Sequence, residues 1–103
     1  MLAEHSRCLL GNGFRLEIAA RVHEWKAPEL YVRAVAMAMG GNAGRMRIEP
    51  RVRTNFLDFE RAGLLVVDEP GGGPRPRTYS KVDSVYWPMC AALWRELGGG
   101  PLA

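Results

Sequence analysis

Apolar positions repeat at helical spacing over most of this chain. They give way to short β-rich runs only between Leu64 and Val82. In "NGFRLEIAARVHEW", Phe14, Ile18, Val22 and Trp25 recur every three or four residues, and Leu16 and Ala19 widen the stripe. That is one face of an amphipathic helix. Asn12 is placed to cap its start. Its end falls near Lys26, because Ala27 precedes Pro28 and a residue before proline avoids helical dihedrals. A shorter helix, "LAEHSRCLL", comes before it and stops at Gly11.

"PELYVRAVAMAM" predicts the next helix, with Pro28 in its first turn, Leu30, Val32, Val35, Ala36 and Met39 to bury, and Gly40 and Gly41 to stop it. The run Gly40 to Glu49 reads as a long irregular turn. Pro50 then opens "PRVRTNFLDFERAG". Here Val52, Phe56, Phe59 and, less strictly, Leu57 form an apolar back, and Arg51, Arg53, Thr54, Asn55 and Asp58 form a polar front. Gly63 closes it.

"LLVVDE" and "TYSKV" read as two short strands joined by a Gly/Pro loop, a hairpin with a long tip. Asp83 or Ser84 can cap a last helix, "SVYWPMCAALWREL", in which Pro88 lies in the first turn or so. "GGGPLA" reads as a flexible tail over 98–103. The order is helix, helix, helix, turn, helix, strand, loop, strand, helix. A helix-turn-helix followed by a two-stranded hairpin is the winged-helix arrangement. The predicted class is α+β, mainly α: a winged helix-turn-helix with a two-stranded wing and an extra helix at each end, as one domain over 1–97.

Composition agrees with a globular chain. Among 103 residues, 48% are hydrophobic and 24% charged, which suits a buried core without disulfides. Cys8 and Cys90 cannot make a disulfide framework. Glu4, His5 and Arg7 occupy the place of a secretory leader's apolar region. No run approaches the roughly 18 apolar residues of a membrane span. The expectation is a reduced, cytoplasmic protein without a membrane partner. The net charge of +3 says less than its distribution: Arg45 to Arg53 holds four arginines and one acid, and Gly71 to Lys81 holds Arg75, Arg77, Lys81 and no acid. Two basic segments in an otherwise acidic chain suit a polyanionic partner; solvated basic loops give the same pattern.

Three stretches carry a resemblance. "GNGFRLEIA", "FLDFERAGLL" and "RTYSKVDSVYWPMCAALW" resemble, in turn, an early helix, the end of a recognition helix leading into a wing, and a wing strand running into a terminal helix. They are similar to the winged helix-turn-helix transcription regulators of the ArsR-like group, related to the MarR and PadR types, over about Leu9 to Leu97. The resemblance implies a sequence-specific, DNA-binding, repressor-like regulator that acts as a homodimer, with no enzymatic activity and no cofactor. The chain departs from that pattern twice. The turn Gly40 to Glu49 is longer than usual and carries Arg45 and Arg47, which suggests a backbone-contacting loop. Where metal-responsive members have an "ELCVCD"-like motif, this chain has "ELYVRA"; Tyr31 and Arg33 replace the thiols and Ala34 the acid, so that thiolate metal site is absent.

The expected DNA contacts follow from donor chemistry. Arg51 and Arg53 reach phosphates or guanine edges, Asn55 pairs with adenine, and Thr54 does either. In "DEPGGGPRPRTYSK", glycines reduce bulk and Pro74 and Pro76 limit collapse, so Arg75 and Arg77, with Lys81, lie on phosphates or enter a narrow minor groove. A disordered hairpin tip is the alternative reading. For the dimer, Leu2, His5 and Leu9 of the first helix are expected to join Trp87, Cys90, Trp94 and Leu97 of the last; the alternative is that both tryptophans close the monomer core. His5, Cys8 and Cys90 could be imagined around a metal, but no CxxC spacing supports it, and the expectation is no metal. No catalytic constellation is evident. The competing function is a winged helix used for protein–protein interaction, as an adaptor or antagonist, motivated by Asp58 and Glu60 beside the basic front.

Overall fold

The computed structural model describes residues 14–102. It is α+β and mainly helical: α1 (Arg15–His23), α2 (Val32–Arg61), β1 (Leu65–Glu69), β2 (Thr78–Lys81) and α3 (Tyr86–Glu96). One domain is expected over 1–97; the described residues gather into two compact units, 14–26 with 84–102, and 27–83. The first helix of the sequence reading, with Leu2, His5, Cys8 and Leu9, lies outside the described residues.

In the first unit α1 packs on α3. Leu16, Ile18, Ala19, Ala20 and Val22 of α1 are buried, as are Trp87, Cys90, Ala91 and Trp94 of α3. The Ser84 hydroxyl accepts the Tyr86 N–H at 3.1 Å and so serves the start of α3. Pro88 sits in the first turn, where a helix leaves its N–H groups without intrahelical partners, and the missing donor costs little there. Arg95 pairs with Glu24 at 2.6 Å.

The end of α3 bears on two expectations. Residues 98–100, which the sequence places in a flexible tail, bond back onto the helix in this structure. Gly98, at φ 83°, donates to the Arg95 carbonyl at 3.1 Å, and Gly99 donates to the Trp94 carbonyl at 2.8 Å. That pair of bonds is a Schellman cap. The chain then turns over Trp94, whose indole N–H donates to the Gly100 carbonyl at 2.8 Å. Trp94 is therefore only 8% exposed, Trp87 1% and Cys90 0%, all within one chain. The tryptophans close the core of their own unit, and these three residues are not a free dimer surface. Leu97 is half-buried.

In the second unit α2 is two helical arms joined at Gly41, whose φ of 65° and ψ of −173° break the helical path. Only glycine occupies that region without strain. The arms meet closely: a Cβ on Gly40 would lie 2.5 Å from Ile48 Cδ1. The expected irregular turn Gly40 to Glu49 is thus one sharp bend followed by helix. Ala43, Arg45, Met46, Arg47 and Glu49 are good helix formers, and they carry the helix through Pro50, which stands inside it. The helix also starts later than Pro28 suggests. Leu30 is buried and extended, and its carbonyl accepts the Tyr79 N–H at 2.9 Å in an isolated antiparallel bridge. Tyr31, at φ −151°, keeps the chain extended up to Val32.

The strands β1 and β2 pair antiparallel, Leu65 with Lys81, Val66 with Ser80 and Val67 with Tyr79. A register shift between Val67 and Glu69 leaves Asp68 as the extra residue, and its carboxylate accepts the Ser80 hydroxyl. The core of the unit is Val35, Ala36, Val52, Phe56, Phe59, Leu65 and Tyr79. Phe56 meets Tyr79 edge-on, with ring centroids 5.1 Å apart, so the helix and the hairpin share one aromatic joint.

Candidate nucleic-acid interface

The arm 42–61 sorts its polar residues by helical position. Arg47, Arg51 and Thr54 are exposed, with Asp58 half-buried beyond them. Spacings of four, three and four put them on one stripe. This stripe lies opposite the buried back of Val52, Phe56 and Phe59. Arg47 makes no side-chain bond among the described residues. Thr54 is partly committed, since its hydroxyl donates to the Pro50 carbonyl at 3.0 Å.

Arg45 and Arg53 point elsewhere. Both pair with Glu49, one turn from each, at 3.6 Å and 3.0 Å. Arg33, from the other arm, approaches the same carboxylate at 3.5 Å. Glu49 and Arg33 were not among the expected site residues. The spacing of Arg45, Glu49 and Arg53, four apart each time, is the signal that could have found most of the cluster. Arg33 needed the bend at Gly41 to arrive there.

Asn55 is a correction. Its side chain is 1% exposed, and its amide donates to the Arg51 carbonyl at 2.8 Å. It occupies the inward side of the helix, three residues after Val52 and four before Phe59, and an amide held there does not reach an adenine edge.

The hairpin tip is built rather than loose. Gly72 and Arg75 exchange two backbone bonds, each 3.0 Å, around Gly73 and Pro74. Gly71 lies so close to the returning strand that a Cβ there would sit 2.7 Å from the Arg77 nitrogen. Arg75 and Arg77 are exposed, and their side chains make no bond among the described residues. Lys81 is exposed on β2. The three belong to the same compact unit as the Arg47, Arg51 and Thr54 stripe.

Burial pushes the Tyr86 phenol well up, with the Cys90 thiol beside it adding to the effect. Burial likewise raises the Cys90 thiol. Both groups are thus neutral at ordinary pH. Among the described residues no three His, Cys, Asp or Glu side chains gather as a metal would need, and no helix is long and apolar enough to cross a membrane. Compared with known proteins, the chain matches no family, no curated protein and no solved structure.

Proposed function

We propose that this protein is a winged-helix, sequence-specific DNA-binding regulator of repressor-like action. The arm 42–61 serves as the recognition helix in the major groove, and the β1–β2 hairpin serves as the wing. The observation that carries the reading is the pairing, in one compact unit, of an outward stripe of Arg47, Arg51 and Thr54 with a hairpin that holds Arg75 and Arg77 exposed. A major groove admits one helix, and arginine on its outer face reads guanine or grips phosphate. The ordered tip supports the wing role, because an arginine on a fixed turn loses less entropy on contact. The Leu30–Tyr79 bridge adds a third extended segment beside the hairpin, which stiffens its base.

In this reading the protein works as a homodimer on an inverted repeat. With Trp87 and Trp94 buried, the contribution of α3 to a dimer would be its outer face, where Met89 is 52% exposed, together with Val85 just before the helix, 83% exposed. Selection of bound duplexes from a random pool, with the mass of the complex, tests the proposal. An inverted repeat bound by two chains supports it; failure to retain any duplex at low salt overturns it.

A second reading has its own observation. Met46, 77% exposed, and Leu57, 42% exposed, flank Pro50 on a strip beside the basic stripe. An apolar strip of that kind suits a protein partner, and a winged-helix adaptor or antagonist would use it. That reading wins if no duplex is retained at low salt and Met46→Asp disrupts complexes with a protein partner.

A further inference from the structure

Three guanidinium groups share one carboxylate in this molecule. Arg33, Arg45 and Arg53 stand 3.5, 3.6 and 3.0 Å from the Glu49 oxygens. Only Arg53 is close enough for a hydrogen bond; the other two exceed the length of a charge-assisted bond, about 2.7–2.9 Å. Each guanidinium carries five donors, and one carboxylate accepts about four bonds. Most of the donor capacity is therefore unspent. The Arg45 Nε–H is the sharpest case: it is buried with no acceptor among the described residues. A buried donor left without a partner is costly, and an anion that draws the Arg45 side chain toward it would relieve that cost. An open hollow of about 250 Å³ lies between these side chains, lined also by Met46 and Pro50.

We propose that Arg33, Arg45 and Arg53, gathered around Glu49, bind a phosphate-type oxyanion. The local charge is two positive in excess, which matches a doubly ionised free phosphate and more than balances the single charge of a backbone phosphodiester. Its tetrahedral oxygens accept from several directions at once, as guanidinium groups from two helical arms require. Glu49 acts as a positioning residue: it holds the three arginines together against their mutual repulsion and spaces them at the rim of the hollow. The bend at Gly41 is what brings Arg33 of the first arm to Arg45 and Arg53 of the second. The oxyanion has two possible sources, a free phosphate group or a phosphate of a nucleic-acid backbone. The site stands on its own geometry and does not rest on the proposed function.

The test follows the arginine Nε–H signals of the full chain by NMR. Inorganic phosphate is titrated at constant ionic strength against chloride, and a short DNA duplex is titrated separately. The expected result is a saturable shift of the Arg45 Nε–H signal with phosphate and not with chloride. Affinity should fall about tenfold in Arg53→Gln, an exposed position that leaves the core untouched. Glu49→Gln, which releases the three arginines from their shared carboxylate, should lower affinity for the same anion even though it adds one positive charge. If only the duplex moves the Arg45 signal, and Arg53→Gln abolishes that shift, the oxyanion is a backbone phosphate. If neither phosphate nor duplex moves it, or chloride moves it equally, the proposal is overturned. The Arg47 and Arg51 stripe reports separately: a duplex bound there without any Arg45 shift sinks this site and leaves the DNA reading standing.

Discussion

The indole N–H of Trp94 donates to the carbonyl of Gly100, six residues on, across a distance of 2.8 Å. This bond turns the end of the chain back on the helix it has just left. Gly99 lies flat on the ring, where a Cβ would come within 2.1 Å of an indole carbon. Gly99→Ala must therefore push the tail off Trp94. The expected loss of stability is about 1–3 kcal/mol, the usual cost of overpacking a tight site. Truncation after Leu97 should behave similarly and shift Trp fluorescence to the red. A truncated chain with unchanged denaturation midpoint and emission would show that the tail adds nothing.

Gly41 and Pro50 give opposite signs on the same helix. At φ 65° and ψ −173°, Gly41→Ala places a side chain where only glycine rests, at a cost of about 1–3 kcal/mol. Pro50→Ala works the other way. Because the helix runs through position 50, the substitution restores an N–H to the ladder and should stabilise by about 1–3 kcal/mol. A helix that began at Pro50 would instead lose a favoured first-turn residue and weaken. The sign of one urea midpoint shift separates the two cases.

Those two residues also mark where sequence reading stops. The stripe Val52, Phe56 and Phe59, the hairpin and the Ser84 contact at α3 were all legible, because each is set by periodicity or local chemistry. Local preference makes the Gly40–Gly41 pair a helix end and Pro50 a helix start. Both are sound local preferences, yet packing of Gly40 against Ile48 turns the break into a single bend. Local pattern puts Leu30 in a helix, and the bond to Tyr79 that holds it extended spans a sequence distance that no local rule sees. Asn55 is polar, and polarity suggested the front; its angular position beside Val52 and Phe59 decided otherwise. The cluster at Glu49 was half visible in its four-residue spacing, and the missing half, Arg33, depends on the bend.

Burial of Cys90 has a consequence for alkaline pH. Its thiol titrates above the ordinary value of 9.0 because burial disfavours the thiolate. The folded chain therefore keeps a proton that the unfolded chain releases as pH passes 9. Fewer protons on the unfolded state mean that stability falls as pH rises. The contribution is full below the unfolded value and is lost as pH climbs through the folded one; Tyr86, raised in the same direction, adds to the slope. Cys90→Ala should flatten the decline of the urea midpoint above pH 9, while alkylation of Cys90 in the native chain stays slow. A decline that is unaltered in Cys90→Ala sinks this account.

The DNA reading makes its prediction in the salt dependence. Each phosphate contact contributes about 0.9 to the slope of log affinity against log salt. Arg75 and Arg77 are exposed and their side chains make no bond among the described residues, so Arg75→Ala with Arg77→Ala should shallow the slope by up to about two units without changing stability. Arg47→Ala should weaken specific binding by about 1–3 kcal/mol if Arg47 reads a base, and the preference at one base pair should relax with it. Asn55→Ala provides the contrast. It removes a buried amide bonded to the Arg51 carbonyl, so it should lower stability by about 1–2 kcal/mol while the salt slope of the remaining folded protein stays the same. If the wing substitutions leave the slope unchanged and Asn55→Ala alters base preference, the assignment of inner and outer faces on α2 is wrong.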